Sequence, residues 1–404
     1  MKSIKHIFEK FKVQIAISLI VRISLFFIGN GLDFYSWAKI GYIKQEYFSH
    51  YGVMRQYNYG PLFSEALSIF WKISEFTQSQ IIDTTLFAFP NSYPVSLESI
   101  TIQIGFNFKL ILLFFIFLFD LIILYLLNEL FNSRVASFWI VNPYSILISS
   151  FWLREDSIMI AFILLFIYFH KKDRTSFALL FLCLSMITKH LFIFFPIWLI
   201  FKNFKKNIIY LSSYIIFAAS FVPYIFRFSN KDIPSSHSLN DIGIYGIFND
   251  VINYRASNQY PLLSLLKFFN VDSYEIWGSL FFYLVMLIIG YYSKKLTTTN
   301  SFLIYLLCIV GFTPGFQANY LLYVLIPLYL YSKNIGVLIS AYFAIIVFRV
   351  GNYYSAEIND FSTFLNQLNI YPALIDTLIC IFCIFVATKL LKNTSLDNHS
   401  SKHL

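Results

Sequence analysis

This chain is short of charge. Only 13% of its 404 residues are Asp, Glu, Lys or Arg, against about 25% in soluble globular domains. That shortfall excludes a water-soluble enzyme of ordinary composition. Cysteine is scarce too, at four residues. Cys183, Cys308, Cys380 and Cys383 all lie inside apolar runs. Cys380 and Cys383 have CxxC spacing, but no second pair and no nearby histidine completes a metal site. Strict apolar–polar alternation is also missing, which argues against a β-barrel. No small-residue cleavage site follows the first apolar run, so the N-terminus reads as a signal anchor and not a cleaved signal. No internal repeat is visible, as a transporter built from two related halves would require.

What is present is apolar and aromatic. Hydrophobic residues make up 58% of the chain, aromatic residues 21%, and the mean hydropathy is +0.66. Apolar runs of spanning length, about 20 residues each, recur from end to end. The expected fold is all-α: a polytopic membrane protein with about 11–13 transmembrane helices and no sizeable soluble domain. Residues 1–404 then form a single membrane-embedded domain. The net charge of +9 does not point to nucleic acid. Most of the Lys sits in short clusters between apolar runs, as the positive-inside rule predicts.

Those clusters orient the chain. Lys2, Lys5, Lys10 and Lys12 precede the first span, roughly 13–29. The N-terminus is therefore inside and Asp33 outside. A first outer loop is expected over 30–106, with a surface-lying or shallow helix at 61–76, where Glu65, Lys72 and Glu75 interrupt apolar positions at helical spacing. Further spans are expected at about 107–127, 136–152 (containing Asn142-Pro143), 157–170 and 207–226. Others follow at 274–293, 335–350 and 371–391. The run 175–201 is broken at Thr188-Lys189-His190, and 301–331 is broken near Thr313-Pro314-Gly315. Each reads as two short helices meeting at the outer face, an arrangement tolerated where helices line a cavity. A second long outer loop covers 227–270, and 393–404 is a cytoplasmic tail.

Acidic groups collect on the outer side: Asp33 in the first loop, Glu155 and Asp156 in the next. Arg154, Lys189, His190, Gln317, Asn319 and Arg349 are expected at the same level. A lysine inside an apolar run is costly, which makes Lys189 a functional candidate, with a structural ion pair as the bland alternative. Asp120, in mid-span, is suited to pair with Arg22. Tyr57 and Tyr59 in YNYGPLF have rings fit for sugar stacking, although aromatic belts occur at every membrane interface.

Taken in order, the segments DFYSWAKIGY, YNYGPLF, VNPYSILISSFWLREDSIMIAFILLFIYFHKK and MITKHLFIFFPIWLI resemble the GT-C superfamily of integral-membrane glycosyltransferases. Within it they are most similar to GPI mannosyltransferase I and its prokaryotic relatives. The likeness covers about residues 13–201; beyond it, GFQANYLLYVLIP matches in pattern only. It departs from the family at the first-loop acidic pair, where Asp33 is followed by Phe34-Tyr35, and at the turn reading Trp152-Leu153-Arg154-Glu155-Asp156.

The resemblance implies a polyprenyl-phosphate-linked sugar donor, a glycan or glycolipid acceptor, and a lipid bilayer around the protein. It implies Asp33 as the catalytic base and a mannosyl or other hexosyl group as cargo. Arg154 or Lys189 would hold the phosphate, with Arg349 as a further candidate. Glu155 or Asp156 would orient the acceptor or hold Mg²⁺ or Mn²⁺. The location would be the plasma membrane in a prokaryote, or the endoplasmic reticulum in a eukaryote. A lipid-linked glycan flippase or polymerase and a secondary transporter are the alternatives. A flippase would spread basic residues across the membrane depth, and here they crowd one side.

Overall fold

The computed structural model describes residues 2–28, 32–47, 59–77, 106–226, 274–312, 320–353 and 372–392. These are helices and the turns between them, with no strand among the described residues. The expected loops at 77–105 and 227–270, the turn holding Gln317 and Asn319, and the tail 393–404 lie almost wholly outside them, as does Tyr57.

Helices α1 (Lys2–Ile28) and α4 (Phe106–Leu130) lie side by side and antiparallel. Lys10 Nζ donates to Asn128 Oδ1 at 2.9 Å near one end. Near the other, the rings of Phe26 and Phe106 meet edge to face at 4.9 Å. Between them Arg22 reaches Asp120 at 2.7 Å, both fully buried. Trp139 Nε1 and Ser157 Oγ also donate to that carboxylate, at 3.2 and 2.8 Å, and Ser149 Oγ accepts from Arg22 at 3.1 Å. An ion pair inside an apolar core is tolerated only with such partners. The pairing of Asp120 with Arg22 expected from the sequence is present.

The segment after the first span departs from a loop. Leu32–Tyr47 is helix α2 and Pro61–Phe76 is helix α3. The bounds of α3 match the expected helix, but it does not lie alone at a surface. Phe63, Leu67, Phe70 and Trp71, one stripe at helical spacing, are buried against neighbouring helices. Phe63 meets Trp37 of α2, while Phe70 and Trp71 meet Phe115 and Phe108 of α4. The opposite face, with Ile69, Lys72, Ile73 and Phe76, is exposed.

The middle of the chain is made of interrupted helices. α5 (Ser133–Val141) stops at Asn142, whose side chain accepts from the amides of Tyr144 and Ser145 and so caps α6 (Pro143–Ile146). Pro143 fits this first helical position because its missing N–H has no helical partner there. A π-helical turn, Leu147–Phe151, follows. α7 (Asp156–Lys171) and α8 (Thr175–Thr188) are antiparallel, joined by the turn at Lys172–Arg174. After a 3₁₀ turn at His190–Phe192, α9 (Phe195–Lys202) completes the broken pair. Tyr305 closes the break from outside: its hydroxyl donates to Leu191 O at 2.7 Å and accepts from Phe194 N at 3.3 Å. The backbone groups freed by the interruption thus keep partners.

The rest comprises α10 (Phe204–Asn207), α11 (Ser212–Ala219), α12 (Val222–Phe226), α13 (Tyr274–Tyr292), α14 (Thr298–Phe312), α15 (Leu321–Tyr331), α16 (Lys333–Tyr353) and α17 (Pro372–Lys392). Among the described residues, two helical runs are long and apolar enough to cross a membrane: Phe106–Leu130 and Phe204–Tyr224. The expected number, about 11–13, was larger; it took 136–152 as one span, and it already counted 175–201 and 301–331 as pairs of short helices. α5 with α6, α8 with α9, and α14 with α15 are each divided at Asn142, Lys189 or the 313–319 segment, and each piece is short.

Candidate functional site

Antiparallel pairing builds the site. α7 starts at Asp156 and runs 16 residues; α8 returns over 14. Helices of nearly equal length joined by a short turn bring their outer ends together, so Lys189, the residue capping α8, lands opposite Asp156. Lys189 Nζ lies 2.7 Å from Asp156 Oδ1 and 3.3 Å from Glu155 Oε1. The side chains of Lys189, Glu155 and Asp156 are no more than 1% exposed. The signs suit the helix ends: a carboxylate on the first turn of α7, and an ammonium at the C-terminus of α8.

The turn before α7 is strained. Leu153, a fully buried non-glycine residue, has φ 53°. Such a left-handed conformation costs on the order of 1–3 kcal/mol. It lets Arg154 N reach Ile148 O at 3.1 Å, across the π-helical turn. The Arg154 guanidinium lies 5.3 Å from the Trp152 ring. Arg154, Glu155 and Asp156 are thus three consecutive charged residues held in a buried turn.

A third segment arrives from the N-terminal side. Gly60 N donates to Thr188 O at 3.2 Å. A Cβ on Gly60 would stand 1.8 Å from Ile187 O, so only glycine permits this approach. Tyr59 is thereby laid beside Lys189, its ring 4.7 Å from the ammonium. Tyr320 and Tyr323 add rings at 5.5 and 5.8 Å, and the Tyr323 hydroxyl donates to Asp156 Oδ1. Three tyrosine faces and two carboxylates therefore enclose one ammonium, an arrangement favoured by ring quadrupole and Coulomb attraction alike.

Glu155 is the odd member. Neither of its buried oxygens accepts a hydrogen bond among the described residues. Burial pushes its carboxyl up to about 7, with the Lys189 ammonium pulling down and the Asp156 carboxylate adding to the rise. As a metal centre the turn is poorly furnished. No three His, Cys, Asp or Glu side chains gather among the described residues. The Lys189 ammonium already sits between the two carboxylates, and Mg²⁺ asks for near-octahedral oxygen coordination.

Of the residues expected from the sequence, Arg154, Glu155, Asp156, Lys189 and Tyr59 are brought together. His190 opens the 3₁₀ turn next to Lys189 and is half-buried. Asp33 is in the first turn of α2 and Arg349 in α16, their side chains outside the described residues. Asp33 precedes Trp37 by four residues along α2. Trp37 in turn lies 5.8 Å from Tyr59. Gln317, Asn319 and Tyr57 are outside the described residues. Sequence reasoning missed Tyr320 and Tyr323. Both stand in the apolar stretch GFQANYLLYVLIP, where a tyrosine is indistinguishable from an interfacial aromatic. Comparison with protein-family models and with curated proteins finds no match to this chain.

Proposed function

We propose that this protein is a membrane-embedded glycosyltransferase of GT-C type. It moves a hexosyl group, mannose by family weighting, from a polyprenyl-phosphate donor to a hydroxyl of a glycan or glycolipid acceptor, with inversion, at the outer or lumenal face. The observation that carries this reading is convergence: the Arg154–Asp156 turn, Lys189 and Tyr59-Gly60 meet at one point. These are three of the segments on which the family resemblance rests, and they are far apart in sequence. Polytopic embedding is supported by the two span-length helices. It is supported too by apolar side chains left exposed along α1, α11, α13 and α16, among them Ile20, Phe27, Ile215, Leu284 and Leu338. Soluble monomers rarely display such faces.

The chemistry follows from the donor. Its leaving group is a phosphate, already a good anion, so a cation serves it and no acid is required. Asp33 takes the proton of the acceptor hydroxyl as that oxygen bonds to C1 of the sugar. The C1–O bond to phosphate breaks, and its electron pair leaves with the polyprenyl phosphate. General-base help of this kind contributes roughly 10²–10⁴-fold. Arg154 faces the phosphate as preorganised positive charge. Lys189, held by two carboxylates, sets the turn that carries Arg154. In this reading Lys189 occupies the place a divalent ion on Glu155 or Asp156 would take, and no step passes through a metal.

The test offers purified protein in lipid nanodiscs a panel of polyprenyl-phosphate sugars with glycan acceptors. Release of polyprenyl phosphate is measured together with sugar transfer. Transfer by the wild type and none by Asp33→Asn, at equal expression and membrane insertion, is the expected result. Wild-type transfer retained by Asp33→Asn removes the base. Lipid translocation without phosphate release would favour a flippase.

A further inference from the structure

Tyr323 lies far along the chain from the other groups of the site, on α15. Yet its hydroxyl donates to Asp156 Oδ1, the same oxygen that Lys189 engages at 2.7 Å. Its ring and that of Tyr320, three residues earlier, flank the Lys189 ammonium, and Tyr59 completes the enclosure. With Lys189 1% exposed, an incoming phosphate reaches that ammonium only by displacing Asp156 or a ring. Arg154 is the cation that the reading above assigns to the donor, and it stands two residues before Asp156 in the same buried turn. One oxygen of Asp156 therefore joins the N-terminal half of the chain, through Lys189, to the C-terminal half, through Tyr323.

We propose that Tyr323 is a positioning residue for the transfer reaction: by holding Asp156 against Lys189 it fixes the turn that presents Arg154 to the donor phosphate. This rests on the glycosyltransferase reading above. The reasoning is geometric. Lys189 has two carboxylates within reach, at 2.7 and 3.3 Å. The Tyr323 hydroxyl donates to Asp156, so it breaks the tie between them. Without it, α7 loses its tether to α15, the ammonium shifts toward Glu155, and the strained turn at Leu153 has one restraint fewer.

The experiment uses the full chain in nanodiscs with a transferable polyprenyl-phosphate sugar. It compares wild type, Tyr323→Phe, Asp156→Asn and the double variant, with unfolding temperature recorded for each. Tyr323→Phe keeps the ring and removes only the hydroxyl. The expected result is a fall in kcat of about tenfold to a hundredfold, the scale of a small misplacement of a charged group. The donor KM should change little and the unfolding temperature should stay near wild type. The double variant should be no slower than Asp156→Asn alone, because both changes break the same contact. Wild-type kcat in Tyr323→Phe overturns the proposal. So do effects that multiply in the double variant, or a loss of rate that tracks a lowered unfolding temperature. A wild-type protein that transfers no sugar overturns this inference together with the glycosyltransferase reading. A wild-type protein that transfers, matched by Tyr323→Phe, overturns this inference alone.

Discussion

Glu155 is where a single side chain has the most to reveal. Its oxygens are buried and accept no hydrogen bond among the described residues, and burial, opposed by Lys189, pushes the carboxyl from 4.5 up to about 7. Unfolded, the group releases its proton near 4.5; folded, it keeps it to about 7. Across that window the native state binds more protons than the unfolded one, so stability declines as pH rises from 4.5 to 7. Thermal unfolding in detergent should therefore shift downward over that range, and Glu155→Gln, which is neutral throughout, should flatten the slope. An unchanged slope in the variant would place the titration elsewhere. Lys189 was legible as a costly charge in an apolar run, and so was the acidic turn. Their ion pairing was legible only as an alternative, because it depends on two helices returning to the same height.

Among elements, the α1–α4 pair makes the sharpest case. Arg22 and Asp120 are fully buried and satisfied largely by each other, with Ser149, Trp139 and Ser157 around them. Removing one partner of such a pair typically costs about 3–5 kcal/mol, because the other charge is left uncompensated. Arg22→Met should therefore lower the unfolding temperature strongly. Arg22→Met combined with Asp120→Asn should recover part of the loss, since the substituted amide carries no charge but its oxygen still accepts from Trp139 and Ser157. A double variant no better than the single one would show that the charge is not what destabilises. The pairing was readable because each residue is the lone charge near the middle of its apolar run. The packing of α2 and α3 against α4 was not readable. The α3 sequence is amphipathic, and the same stripe serves a membrane surface or a protein core equally well.

For the molecule as a whole, the proposed topology sets the Lys-rich turns on one side and the catalytic groups on the other. The four native cysteines are buried. Single cysteines introduced at two exposed positions, Thr77 at the end of α3 and Asp173 in the α7–α8 turn, should therefore report sidedness. In intact cells a membrane-impermeant maleimide should label Thr77→Cys and leave Asp173→Cys untouched until the membrane is opened. The reverse pattern would turn the site toward the cytoplasm and end the outer-face reading. α1 and α4 are antiparallel, which holds for either sidedness, and the labelling decides between the two.

By itself the sequence determined the all-helical class, most helix positions and the break at Lys189. Apolar runs, charge and proline act locally, and these features need no partner to be recognised. Only the tertiary structure decided which charged groups meet: that Lys189 lies between Glu155 and Asp156, that Gly60 lets Tyr59 reach it, and that Tyr323 arrives from the far end of the chain. Those contacts depend on helix lengths and close approaches summed over distant segments, and no local pattern encodes that sum.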